Sequence, residues 1–456
     1  MLKQRKSRVL KYIFDNVKPF KGLLALHLFV VIFNAVDTSL WPYISKLLID
    51  SIASSPKDQI WENSKELALL FIFLTILPGL VWRITDYSWS CLIPLMRKKI
   101  IVDASKQMLE KSHDFFHKNP SGSLTNRVKD LSQNTTLLLN TMLYSFLAIF
   151  LSLIVAFYTL WHTHRVFAFG LVVWGVIFIY MAIKALELTA KMSDNVTSAQ
   201  AKTIGNIVDV FSNIQNVKFF TNEDAEINRI SRNLNQYGKF FKARGFFLVK
   251  FYTLHGLLFS VYFSLAVLAL IYYYSKGLVT IGDFVLIFTI NSWMINSMWR
   301  MAGQLQKFSE EFGAVDQSLR ILDKPLKVKD KKNAPSLKVK RKTGPVVEIN
   351  NIEFSYRETA LDAKDNLHGT TSDLITISSD LSVKGKLVLS SGQRVGLVGA
   401  SGSGKSTFVN LLMRSYDVDK GKILIDGQNI KNITQKSLRQ GISLIPQEPI
   451  LFHRSI

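Results

Sequence analysis

The chain has 456 residues, 48% of them hydrophobic, and 56 Lys and Arg against 34 Asp and Glu give a formal net charge of +22. Its apolar residues collect in six stretches without Asp, Glu, Lys or Arg (22–36, 67–82, 131–164, 166–183, 251–275 and 284–299). Runs near the ~20 residues that cross hydrocarbon exclude a wholly soluble or disordered chain, and a single cysteine, Cys91, excludes an intramolecular disulfide.

In chain order, residues 1–21 form a basic terminus: Lys3, Arg5, Lys6, Arg8, Lys11, Lys18 and Lys21 against one acid, Asp15. Basic residues beside spans mark the cytoplasmic side and meet anionic lipid headgroups, so the positive balance predicts a bilayer partner and no nucleic acid. The first apolar run ends in Asn34-Ala35-Val36-Asp37 without a small-residue cleavage site, which predicts a retained membrane segment.

Six membrane helices are expected at about 22–45, 66–90, 137–160, 166–184, 251–275 and 282–301, within a transmembrane region covering 22–323. The first two have uncharged cores shorter than a full span, so tilt, extra length or burial must accommodate them. Short connections (46–65, 161–165, 276–281) hold only Lys46, Lys57, Lys65, Arg165 and Lys276, whereas the long ones (91–136, 185–250) are rich in Lys and Arg. That bias predicts that the N-terminus, both long loops and the C-terminal region are cytoplasmic. Ile204, Ile207, Val208, Phe211 and Ile214 recur at helical spacing, so the long loops are expected to be helices projecting beyond the membrane.

Charged and polar residues within spans allow two readings. Asp37, Arg83 and Asp86 can line a water-filled path, but Arg83 and Asp86, three apart on one face, more simply neutralise each other. His255 reads as a packed histidine. His162 and His164 in an outer loop make at most a two-ligand metal pair.

Residues 324–345 carry KPLKVKDKKNAPSLKVKRK, a basic composition that predicts an exposed linker. Beyond it, 346–456 change to short β-like runs at 346–349, 395–398, 423–425 and 442–445. The second of these runs directly into Gly399-Ala400-Ser401-Gly402-Ser403-Gly404-Lys405-Ser406-Thr407, with an apolar helical stretch following. This is G-x-x-x-x-G-K-[ST] between strand and helix. Glycines let backbone N–H groups turn inward around phosphates, Lys405 reaches the β- and γ-phosphates, and the Ser406 hydroxyl ligates Mg²⁺. The predicted cofactors are ATP and Mg²⁺. Tyr356 can stack on a purine, and Gln447, after a β-like run, can carry an amide oxygen toward a metal or water.

The order GASGSGKST, YDVDKGKILIDGQNI, LRQGISLIPQEPILF resembles the nucleotide-binding domain of ATP-binding cassette (ABC) transporters. The six spans ahead of it resemble exporter-type half-transporters of that superfamily. Asp114-Phe115-Phe116 with Gly122, Arg127 and Asp130 is similar to the first coupling loop, and Asn216 to Phe220 with Glu223 to the second. The implied fold is an α-helical six-span transmembrane domain followed by a partial α/β P-loop NTPase domain. The resemblance implies that Tyr356 is the adenine-stacking aromatic, that 399–407 is the phosphate loop, and that Gln447 links Mg²⁺ to the membrane domain, so Ser406 and Gln447 are the expected metal ligands. It also implies a second half-transporter subunit, expected as a homodimer, and a small-molecule, lipid or peptide substrate.

The stretch from Tyr356 to Gly399 is longer than the family pattern, which predicts a loop insertion. The family's LSGGQ signature, second acidic strand with the catalytic Glu, and switch histidine are expected beyond Ile456. Steady ATP hydrolysis by these 456 residues alone is therefore not expected, and the ATPase assignment stays open. The readings carried forward are an ATP-driven exporter subunit, a nonfunctional remnant or split-gene half, and a nucleotide-binding channel or regulatory membrane protein without hydrolysis. The expected location is a bacterial cytoplasmic membrane, with the mitochondrial inner membrane as the alternative.

Overall fold

A computed structural model of the chain describes residues 2–119, 121–220, 222–339, 346–356 and 381–445. It divides into two compact units: Met1–Asp103 with Arg127–Ile321, and Ala104–Asn126 with Leu322–Ile456.

The first unit is helical. α1 (Leu2–Val17) leads through a 3-10 turn at Lys18–Phe20 into α2 (Lys21–Ser54), and α3 spans Ile60–Leu109. α4 (His113–Lys118) belongs to the second unit. α5 (Ser121–Asn140), a π-helical segment (Thr141–Leu147) and α6 (Ala148–Thr163) form one continuous rod. α7 (Arg165–Ser212), α8 (Ile214–Phe219), α9 (Glu223–Ser275) and α10 (Ile281–Leu322) complete the unit's helices, α10 passing into the second unit at its last residue. Each rod runs well past its apolar run, as the helical spacing of the long loops predicts. Among the described residues five helices, at Ser7–Ser54, Ile60–Leu109, Ser121–Thr163, Arg165–Ala185 and Glu223–Ser275, are long and apolar enough to cross a membrane. The sixth predicted span lies in α10, whose uncharged run is 284–299. Pro42, Pro78 and Pro94 sit inside α2 and α3, which membrane helices tolerate where neighbours satisfy the freed carbonyls.

On α3, Leu69, Ile72, Phe73, Ile76 and Leu80 all face outward. In water so large an apolar face would aggregate, whereas in hydrocarbon it costs nothing. The interior is built from α6, α7, α9 and α10, with Leu160, Leu171, Phe178, Leu286 and Ile290 fully buried. Trp174 stacks on Tyr262 (centroids 5.5 Å apart), whose hydroxyl donates to Asn291 Oδ1 at 2.6 Å. Several of the buried polar groups are paired as well. His27 Nδ1 lies 2.6 Å from the Tyr144 hydroxyl, and Nε2 lies 3.1 Å from Ser88 Oγ. Tyr144 comes from the π-helical segment, whose wider turn re-aims side chains. Arg83 and Asp86 form an ion pair at 3.1 Å, the bland reading of those charges. His164 Nε2 hydrogen-bonds the Leu278 carbonyl at 2.7 Å and His162 packs on Tyr158. Among the described residues no group of three His, Cys, Asp or Glu is arranged to hold a metal.

In the second unit, β1 (Val347–Phe354) lies between β2 (Leu381–Leu389) and β3 (Lys420–Ile425), and β3 pairs with β4 (Gln428–Asn429). All three pairings are antiparallel. Asn351, with φ of 44°, bulges β1 and accepts the Gly385 N–H on its side-chain oxygen. Asp426-Gly427, both at positive φ, make the two-residue turn from β3 to β4. α11 (Lys405–Leu412) and α12 (Gln435–Gln440) cover the sheet, with Leu411 and Leu438 buried against Ile349, Ile352, Ile423 and Ile425.

One expectation changes. The β-like runs 395–398 and 442–445 are not strands: neither pairs with another strand among the described residues, and Val398 and Ile445 are 96% and 93% exposed. Apolar, β-branched residues make a strand only where a neighbouring edge accepts their backbone groups. The predicted linker is exposed over most of 323–339 and is anchored at points along it. Val328 is buried, Leu337 packs on the core, and hydrogen bonds join Leu337 N to Ser437 Oγ, Thr434 N to the Pro335 carbonyl, and Lys338 to the Gln428 amide in both directions. Apolar residues interleaved with the lysines anchor the backbone while the cationic heads stay in water.

Candidate functional site

The phosphate loop gets its shape from three glycines. Gly402 and Gly404 have φ of 84° and 86°, a region in which a side chain is strained. At Gly404 a Cβ would stand 2.8 Å from Leu381 Cδ1, and at Gly399 one would stand 2.7 Å from Ser403 Oγ. Ser403 N–H donates to the Ala400 carbonyl at 3.2 Å, closing the turn. Gly404 is the N-cap of α11, so the helix's first N–H groups and its positive end point into the loop.

Lys405, the first residue of α11, bends back over the loop and donates to the Gly399 and Ala400 carbonyls, both at 2.7 Å. Ser406 follows and is exposed. The loop therefore gathers inward-turning backbone, a helix N-terminus and an ammonium group, the combination a triphosphate requires. These residues fit ATP, and an exposed hydroxyl in the first helical turn fits a Mg²⁺ ligand.

Tyr356 is brought to the loop from the end of β1. Its hydroxyl donates to Thr407 Oγ1 at 3.2 Å, and its ring meets Phe354 and Tyr416 edge-on at 4.8 and 5.2 Å. Tyr416 was not singled out from the sequence, where it is one aromatic among many. In the structure it also reaches His113 of α4, ring to ring at 6.3 Å. Burial, then the nearby Asp114 carboxylate and Tyr356, push the Tyr416 phenol up to about 12, so it remains a neutral donor at physiological pH. Arg414 was missed as well: it is 1% exposed and holds Asp330 and Asp417 at 3.0 and 3.1 Å. Gln447 lies outside the described residues, as does 357–380, most of the predicted insertion; the rest includes β2.

Comparison with known proteins agrees with this picture. A family model for the ABC transporter transmembrane region matches residues 24–298, and a model for the ABC transporter family matches 384–456. An "Uncharacterized ABC transporter ATP-binding protein" of Haemophilus influenzae is 25% identical over 99% of this chain and 70% of its own length. An "ATM1-type heavy metal exporter" of Novosphingobium aromaticivorans is 24% identical over 99% of this chain and 71% of its own. An "ATP-dependent lipid A-core flippase" of Desulfotalea psychrophila is 25% identical over 99% and 74%. Among solved structures, one described as a bacterial Atm1-family ABC exporter with ATP bound superposes with a TM-score of 0.76 at 21% identity, covering 95% of this chain and 72% of that one. That likeness establishes the fold. With 24–298 matched to the transmembrane region and the ATP-binding domain following in the same polypeptide, this multi-pass membrane protein belongs to the ABC transporter family and has the fold of its exporters.

Proposed function

We propose that the chain is the half-transporter subunit of an ATP-driven exporter. The observation that carries this reading is the glycine-shaped loop closed by Lys405 at the N-terminus of α11, in one polypeptide with the helical membrane region. In this reading the backbone of 399–407 cradles the phosphates, Lys405 neutralises them, and Ser406 and Gln447 hold Mg²⁺. Tyr356 supports the adenine. A second subunit, expected to be another copy, supplies the opposing half.

The substrate is a small molecule, lipid or peptide. The relatives' names, one a heavy metal exporter and one a lipid A-core flippase, span too wide a chemistry to choose among them. The membrane is placed as bacterial cytoplasmic, with mitochondrial inner membrane as the alternative.

The test uses the full chain in proteoliposomes, with photolabelling by an azido-ATP and ATP-dependent uptake of fluorescent lipid and amphiphile probes. Labelling and uptake that both disappear in Lys405→Ala support the exporter, whereas labelling with neither uptake nor conductance replaces it with the remnant or split-gene half, which binds ATP without transport. Labelling with only passive, ATP-responsive conductance replaces it with a nucleotide-regulated channel. No labelling at all removes the nucleotide site from the proposal.

A further inference from the structure

Residues 322–338 form a strap with two sets of contacts, all inside the second unit. One set reaches the loop that carries α4. Lys111 Nζ donates to the Leu322 and Lys324 carbonyls at 2.5 and 2.6 Å, and Lys327 pairs with Asp114, in the first turn of α4, at 2.7 Å. The other set reaches the turn that follows α11 and the start of α12. Arg414 follows α11 by two residues and donates to the Lys329 carbonyl at 2.9 Å and to Asp330 at 3.0 Å. Asp330 also accepts the Gln435 N–H at the start of α12.

The two anchor points, Lys327 and Asp330, are three residues apart, at most about 10 Å of extended chain. A connector that short has little slack. Arg414 is buried and hydrogen-bonded to the Ile433 carbonyl at 2.7 Å as well, so its guanidinium cannot shift without carrying the strap along. A hollow of about 940 Å³ lies beside the strap, lined in part by Leu109, Lys111, Val328 and Arg439. The α4 loop and α12 are therefore not close-packed there, and the strap bridges the gap beside the separate ring contact of His113 with Tyr416.

We infer that the strap couples the phosphate-loop helix α11 to α4, with Lys327 and Asp330 as its positioning residues and Arg414 as its pivot. When nucleotide draws α11 toward the phosphates, Arg414 pulls Asp330, and Lys327 passes the displacement to Asp114. The inference rests on the nucleotide-site reading above.

Hydrogen exchange of the full chain in lipid nanodiscs, with and without MgATP, tests it. ATP is expected to slow exchange at 399–412 and also to change it at 110–118. K327D, an exposed charge reversal, should keep the first response and reduce the second by up to about fivefold, the size of one such ion pair. The double reversal D114K/K327D should restore it. A response at 110–118 unchanged in K327D, or not restored in the double variant, overturns the coupling role. Protection at 399–412 in the unaltered protein without any response at 110–118 overturns the coupling alone. No protection at 399–412 overturns the nucleotide site and the coupling together.

Discussion

The Tyr356 hydroxyl stands 3.2 Å from Thr407 Oγ1, so an aromatic at the end of β1 is tied to the last residue of the phosphate loop across 51 positions of sequence. That bond fixes the ring's edge relative to the phosphates before any base arrives. Tyr356→Phe removes the bond and keeps the ring, and it should weaken ATP binding about twofold to tenfold. Tyr356→Ala also removes the stacking surface and should cost a further ~1–3 kcal/mol of binding. Titration with a fluorescent ATP analogue measures both. Equal affinities for the two variants would mean that the ring does not touch the base.

Arg414 holds two carboxylates from a fully buried position at φ of 49°. Arg414→Met keeps the bulk but leaves Asp330 and Asp417 without their cation. Breaking a buried pair costs about 3–5 kcal/mol, and partial exposure of both acids (34% and 23%) brings the expectation down to about 2–4 kcal/mol. Thermal unfolding followed by exchange at 405–440 should show it. A melting point within a degree of the parent's would contradict the burial argument.

Asp316 lies on the polar part of α10, beyond the uncharged run, with its side chain 5% exposed between Arg8 and Arg320. Burial pushes its carboxyl up, but hydrogen bonds from the two arginines outweigh burial and hold it below the ordinary 3.8. A depressed acid contributes stability above its unfolded value and loses it as pH falls through the folded one. Attachment of α1 to α10 should therefore be constant from pH 7 to about 5 and weaken below about 4. Limited proteolysis of residues 2–17 against pH reads this. Asp316→Asn should lose about 1–3 kcal/mol at neutral pH and flatten the acid limb.

Gly282 begins α10 where α2 passes closest. Its N–H donates to Asp50 Oδ1 at 2.8 Å, Asp283 pairs with Lys46 at 2.6 Å, and a Cβ at 282 would run into the Lys46 carbonyl and lie 2.6 Å from Asp50 Cγ. Gly282→Ala should part the α2–α10 contact and cost about 1–3 kcal/mol. Thermal unfolding in detergent should record the loss. An unchanged melting point would show that the two helix ends accommodate the added Cβ without parting.

Elements whose signal is local were legible from the residues alone. Uncharged runs gave the membrane helices because hydrocarbon accepts no unpaired charge, and G-x-x-x-x-G-K-[ST] located the phosphate loop because its glycines and lysine are contiguous. The helical period at 204–214 likewise foretold rods extending past the membrane. What depends on partners distant in sequence was not legible. Val395–Val398 reads as a strand but is one only beside an edge that pairs with it. The lysines of the linker read as solvated, and those at 327–338 are, but composition cannot show that Val328 is buried and Leu337 partly buried among them. Tyr416 opens the quoted YDVDKGKILIDGQNI stretch and Arg414 lies just before it, but neither has a role legible there; their significance comes from His113, Tyr356 and Asp330, which the fold alone brings within reach. Burial and pairing are properties of surfaces meeting in space, and only the tertiary structure decides which surfaces meet.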